Sequence, residues 1–414
     1  MYERVILWAT PAFFVLIAIE ILVGWRRGRF RYRTADAINS IALGQLSTYL
    51  GVFGRVLSFG LYVLSYEHLR LTTLDAGSPW VWVAGLLLYD FLYYWYHRFG
   101  HEVNVFWAAH VVHHQSEEFN LSTALRQTGT SYLFSWIFYV PMALLGFPPT
   151  VMLGVGLIDL LYQFWIHTEH VRSLGLFDRI FASPSNHRVH HAVNDLYLDR
   201  NYGGLLIIWD RLFGTFQPEE ASVPIVYGTR DPLRSWNPLW ANVHSYVAIG
   251  RDSWHARQPL DKLRVWFKHP GWRPADVAAR FPKAPFEMAS ATKFAPPLGP
   301  NLALYCIVQS LVVLAFGTHF LAIVPRLGPE LTVLYFAWLA ASLLIIGGLT
   351  ESRPAFVGFE AARLLSMAAV LALILEPTGA STWVPIVAVP AAFLVWLWAA
   401  GRIIRAGGSK AMAA

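Results

Sequence analysis

The chain has 414 residues, of which 56% are hydrophobic, 15% aromatic and only 14% charged. A composition this apolar excludes an ordinary soluble globule and a disordered chain, and predicts an all-α, polytopic integral membrane protein. The net charge of +6 fits orientation in a membrane and contact with anionic headgroups. No recognition motif accompanies it, so nucleic acid is not an expected partner.

In chain order, apolar runs cover residues 4–25, 38–66, 80–96, 132–147, 150–166, 300–325, 330–349, 355–375 and 382–400. Several reach the roughly 20 residues that a helix needs to cross a bilayer. The first run lacks a basic leader and a small-residue cleavage pattern, and Arg26, Arg27, Arg29, Arg31 and Arg33 follow it. It therefore reads as a retained anchor, with the arginines in the cytoplasm. Counting onward, 67–79 lie outside, the run at 80–96 returns, and His97 emerges at the cytoplasmic interface. The pair within 132–166 is short and interrupted by Pro141, Pro148 and Pro149. It reads as a helical hairpin that enters and returns, delivering His167 to the same side. Four later spans bring Arg402, Arg405 and Lys410 back to the cytoplasm. Three regions result: an N-terminal transmembrane part (1–96), a histidine-rich catalytic part containing the hairpin (97–299), and a C-terminal transmembrane part (300–414). A proline-rich linker occupies 282–300. Just upstream, LDKLRVWFKHPGW (260–272) mixes basic and apolar side chains and reads as an interfacial segment or a plain surface helix.

Ten of the fifteen histidines lie between His97 and His191. Eight form three clusters: HRFGH (His97, His101), HVVHH (His110, His113, His114) and HRVHH (His187, His190, His191). Residues three and four apart share a helix face, so each cluster can aim two imidazoles at one point. Eight imidazoles exceed what one ion accepts, and the natural count is two metal ions. Imidazole suits zinc, copper, iron and nickel alike, and iron is favoured if the chemistry is oxygen activation. The single cysteine, Cys306, is remote in sequence from the clusters. By topology His167 reaches the same place and reads as a ninth ligand, while the role of His170 stays open.

Asp90 precedes His97 by seven residues, nearly two helical turns, so it projects from much the same face. An ionisable group within a membrane run is costly unless paired or functional. Asp90 is expected either to accept a hydrogen bond from the distal nitrogen of a ligating histidine or to be a satisfied structural aspartate. Glu102, beside His101, and Glu169, between His167 and His170, are candidates for the same supporting role or for occasional ligation.

The three clusters, in this order and beside membrane runs, resemble the fatty acid hydroxylase and sterol desaturase superfamily of integral membrane di-iron enzymes. Three stretches, HEVNVFWAAHVVHHQSEEFNLSTALRQT (101–128), LYQFWIHTEH (161–170) and NHRVHHAVNDLYLDRNYGGLLIIWDRLFGTFQPE (186–219), are similar to its ether-lipid branch, the alkylglycerol monooxygenases. The likeness is dense over 90–220. It implies iron ligation by His97, His101, His110, His113, His114, His187, His190 and His191, with His167 as a further ligand and Glu102 as a supporting carboxylate. It also implies hydroxylation of the ether-bearing carbon of a bilayer lipid with dioxygen and tetrahydrobiopterin, giving a hemiacetal that falls apart to an aldehyde and glycerol. No pterin motif is visible, so a separate electron-donor protein is the alternative reductant. Two departures from the family pattern are His170, where an apolar residue is expected, and Asn186, where histidine is frequent.

Three other readings compete. One is a sterol or fatty acyl desaturase or hydroxylase of the same superfamily. Another is a dizinc membrane hydrolase, which would work without oxygen. The third is a metal transporter, which would place its ligands near the bilayer midplane on broken helices.

Overall fold

In a computed structural model the chain is described over residues 2–375 and 379–411, and its side chains over the same range except 2–8, 55, 290, 380 and 401–411. The side chains of Arg402, Arg405 and Lys410, expected to mark a cytoplasmic tail, lie outside the described residues. Every regular element among the described residues is helical, and β pairing is confined to two isolated bridges, Phe181 with Leu206 and Ala192 with Tyr227. The all-α class expected from composition is the class observed.

The chain forms two compact units: Met1–Arg33 with Leu43–Leu233 and Trp240–Lys293, and Thr34–Ala42 with Arg234–Leu239 and Phe294–Ala414. The helices run α1 (Tyr2–Arg26), α2 (Thr34–Leu69), α3 (Pro79–Glu102), α4 (Asn104–His114), α5 (Leu121–Ala124), α6 (Ser135–Leu144), α7 (Pro149–Trp165), α8 (Pro184–His190), α9 (Ile208–Leu212), α10 (Pro238–His255), α11 (Pro259–Phe267) and α12 (Ala275–Arg280). Then come α13 (Pro300–Ile323), α14 (Pro329–Thr350), α15 (Ala355–Leu375) and α16 (Ala380–Ala411).

Among the described residues five helical segments are long and apolar enough to cross a membrane: Ala9–Arg26, Pro300–Arg326, Pro329–Thr350, Ala355–Leu375 and Ser381–Ala400. The protein is multi-pass. α2 makes a sixth if its halves, Thr34–Gly54 and Val56–Leu69, form one span bent by 46°. α3, expected to span over 80–96, does not qualify: Tyr89, Asp90, Tyr93, Tyr94 and Tyr96 make it too polar. The 132–166 hairpin folds as α6 and α7, of 10 and 17 residues. At about 1.5 Å per residue neither arm covers the roughly 30 Å of a hydrocarbon core.

In the first unit α3 packs against α4, α6 and α7. Buried Tyr62, Tyr139, Met142, Phe147, Val151 and Val155 form a core onto which Trp82, Leu86 and Tyr89 pack. The α3–α7 approach is close enough to require glycine: a Cβ on Gly154 would sit 2.4 Å from the Trp82 ring. α11 lays Val265 against the α4 side, beside Ala108, and leaves Leu260, Leu263 and Phe267 exposed. In the second unit α13 to α16 pack as sequential neighbours, with α16 returning to α13. Its interior holds a buried polar cluster in which Arg363 donates to Glu360 at 2.7 Å and to Gln309 at 2.5 Å, and Tyr305 donates to Glu360 at 2.5 Å.

Candidate metal centre

Helix geometry explains how three short motifs serve two positions. α3 carries His97 and His101 one turn apart, α4 carries His110, His113 and His114 in its last two turns, and α8 carries His187 and His190 with His191 as its C-cap. Consecutive residues on a helix diverge by about 100°, so the paired histidines of each H-x-x-H-H motif point to different places. His97, His101, His110, His114 and His190 gather in one group, and His113, His167, His187 and His191 in another. Within each group the ligating atoms lie within 4.8 Å of one another. The nine histidines expected to converge do so, and both groups lie in one unit. His170 joins neither.

Hydrogen bonding fixes which nitrogen of each ring faces inward. A backbone carbonyl only accepts, so an imidazole nitrogen beside one must carry the proton. His113 donates from Nδ1 to the Arg126 carbonyl at 2.9 Å, and His167 from Nδ1 to the Gln163 carbonyl at 2.7 Å. His97 donates to the Tyr202 carbonyl at 2.7 Å and His190 to the Arg200 carbonyl at 3.0 Å. The Nε2 lone pairs of these rings are therefore left bare. Those of His113 and His167 face each other at 3.2 Å, and the Nε2 atoms of His101 and His190 are buried with no hydrogen-bond partner. Facing lone pairs in a buried site repel unless a cation lies between them. The donor set therefore fits metal ions.

Electrostatics keeps the rings in their ligating form. Burial, reinforced by the neighbouring histidines, pushes His97, His110, His114, His187, His190 and His191 well below the ordinary imidazole range. Burial and His113 do the same to His167, and burial takes His113 down to about 4. These imidazoles are neutral at pH 7, as metal ligation requires.

One turn, 199–202, supports three histidines of the first group. Its backbone presents the Arg200 and Tyr202 carbonyls to His190 and His97, and the Asp199 carboxylate faces His101 Nδ1 at 3.5 Å. Asp199 and Asn201 adopt left-handed φ of 57° and 58°, a conformation that Asp and Asn tolerate better than other side chains. The Asn201 side chain staples the turn, donating to the Asn186 and Gln217 carbonyls at 3.0 and 2.8 Å and accepting from Gln217 N at 2.8 Å. Buried Asp210 accepts from Tyr202 N, Gly203 N and Thr215 Oγ1 at 2.8, 2.8 and 2.7 Å. A Cβ on Gly203 would lie 2.4 Å from the Leu206 carbonyl oxygen, so the turn admits only glycine there. Sequence reasoning missed this support; its trace was the turn-forming run DRNYGG.

Of the carboxylates singled out from sequence, Asp90 takes the structural one of its two expected roles, and Glu102 and Glu169 pair with arginines. Asp90 contacts no ligating histidine: it accepts from Leu205 N, Leu206 N and Trp209 Nε1 at 2.8, 3.2 and 2.8 Å. It anchors the backbone that follows the supporting turn. Glu102 pairs with Arg98 at 2.9 Å and Glu169 with Arg31 at 2.6 Å, and neither joins a histidine group. Asn186 donates to the Asp178 and Phe181 carbonyls at the start of α8. Arg188 of the same helix grips Glu219 at 2.7 Å and the Thr168 and Val171 carbonyls at 2.9 and 2.7 Å. α8 and the segment bearing His167 are thereby fixed to each other.

The fatty acid hydroxylase family profile matches residues 82–215, a range containing all nine histidines. The alkylglycerol monooxygenase of Homo sapiens is 39% identical over 359 residues, covering 86% of this chain and 80% of its own. That of Danio rerio is 37% identical over 377 residues, covering 90% and 82%. The ornithine lipid hydroxylase of Rhizobium tropici is 32% identical over 150 residues, covering 34% and 44%. No solved structure matches the chain. With a relative this similar over most of both chains, and with nine histidines of the matched range brought together in one unit, the chain belongs to the alkylglycerol monooxygenase family within the fatty acid hydroxylases, and is a metal-dependent membrane monooxygenase that hydroxylates a lipid.

Proposed function

We propose that the protein cleaves alkylglycerol ether lipids at a pair of iron ions, one held by His97, His101, His110, His114 and His190 and the other by His113, His167, His187 and His191. The observation that carries the proposal is the conjunction of these two groups with similarity to alkylglycerol monooxygenases over 86% of the chain. When bound, the irons supply oxygen activation toward an unactivated C–H bond. The protein's own part is to keep the inward nitrogens unprotonated, orient each ring through its outer nitrogen, and exclude water by burial. Insertion of oxygen at the ether-bearing carbon gives a hemiacetal, which falls apart to an aldehyde and glycerol. Tetrahydrobiopterin or a redox protein supplies the two electrons that reduce the second oxygen atom to water.

The site is proposed to face the cytoplasm, with the alkyl chain entering from the bilayer and the reductant arriving from solvent. The positive-inside placement of the arginines after α1 supports this orientation. Offering the purified protein an alkylglycerol, a sterol and a fatty acyl lipid in turn, with dioxygen and reductant, tests the substrate. Oxygen-dependent aldehyde release from the alkylglycerol alone is expected. Turnover of only the sterol or acyl lipid would reassign the branch, and anaerobic turnover with zinc would refute the oxygenase reading.

A further inference from the structure

α1 ends where its candidate span ends, at Arg26, and the chain then reverses through Gly28, whose φ of +62° is left-handed. The reversal swings Arg27 and Arg29 toward the segment that follows His167. Gly24 lets the helix end close on that segment, since a Cβ there would lie 3.1 Å from His170 Nε2. Between the two lies a cavity of about 570 Å³ lined by Arg27, Arg29, Glu169, His170 and Arg172.

The charge of this cavity is one-sided. Its only carboxylate, Glu169, is already paired with Arg31 at 2.6 Å. Among the described residues no carboxylate pairs with Arg27, Arg29 or Arg172. Three guanidiniums converging on one space repel one another unless an anion joins them, and their planar donor forks match phosphate oxygens. Close to the lining residues in the chain, Trp25 is 72% exposed and Leu176 75% exposed, and an exposed tryptophan at a span end is characteristic of the headgroup level of a bilayer.

We propose that this cavity binds the phosphate of a phospholipid headgroup, Arg27, Arg29 and Arg172 gripping the oxygens while the acyl chains stay in the bilayer. The site is separate from the histidine groups and holds whatever their metal or substrate. It ties a bilayer lipid to the segment between His167 and α8, and so fixes the depth at which the catalytic unit rides.

The test uses the full chain in mild detergent, washed free of loosely held lipid and followed by native mass spectrometry. Short-chain phosphatidylglycerol, a diacylglycerol of the same chain length and inorganic phosphate are added separately. The expected result is one phosphatidylglycerol retained per chain and no retention of diacylglycerol. The triple variant R27Q/R29Q/R172Q should bind at least about tenfold more weakly, with metal content unchanged. Should that variant fail to fold, R172Q alone alters one exposed side chain and should still weaken binding several-fold. Inorganic phosphate displacing the lipid at equal concentration would overturn the lipid assignment in favour of a free-oxyanion site. Equal retention of phosphatidylglycerol and diacylglycerol, or undiminished binding in the variants, would overturn the proposal altogether.

Discussion

At the level of single residues, the centre depends on groups that hold histidines as much as on the histidines themselves. Among the described residues Asp199 is the carboxylate that faces a ring of the two histidine groups, at 3.5 Å from His101 Nδ1. Losing such a partner typically lowers metal affinity about 10- to 100-fold. Asp199→Ala should therefore reduce metal retained through dialysis against a weak chelator by that order, with helical content unchanged; full retention would show that the contact is incidental. Asp90→Leu should behave differently. It leaves Leu205 N, Leu206 N and Trp209 Nε1 without their acceptor, at a cost of about 3 kcal/mol. A clear drop in the thermal midpoint in both apo and metal-loaded protein is expected, and an unchanged midpoint would contradict the role assigned. The contrast shows why the sequence left two roles open for Asp90. Seven residues bring it to nearly the same face as His97, but also about 10 Å along the axis, beyond reach of that ring. Its true partners lie some 115 positions onward, a distance that no periodicity reports.

The elements were legible wherever a local period governs them. Spacings of three and four residues marked the histidine faces of α3, α4 and α8 that converge, and the 100° divergence of neighbouring residues explains why each H-x-x-H-H motif contributes to both groups. What stayed hidden was long-range. The turn 199–202 supports three of the converging histidines through one side chain and two carbonyls, and carbonyls carry no side-chain signature. The run at 80–96 reads as a span from its apolar content, yet α3 is not among the helices apolar enough to cross a membrane and packs against α4, α6 and α7. That packing leaves no room at Gly154, where a Cβ would already lie 2.4 Å from Trp82. Gly154→Leu should separate α7 from α3 and displace His167, which follows α7 directly. Reduced expression of folded protein, or metal loss concentrated in the second group, would register the displacement; normal folding with full metal content would contradict the packing described.

For the molecule as a whole, membrane and catalytic functions are divided unevenly. Four of the five candidate spans belong to the second unit, whereas all nine converging histidines belong to the first. The apolar composition announced a membrane protein, and the clusters announced a metal centre. The allocation of each to a unit required the fold. The central claim is that the nine imidazoles form two metal positions and not one, and metal stoichiometry tests it most directly. Iron measured per chain in the purified, reconstituted protein should be two, falling to about one in H113A, which removes a ligand from the group of four, and in H190A, which removes one from the group of five. One iron per parent chain, or two retained in both variants, would contradict the account.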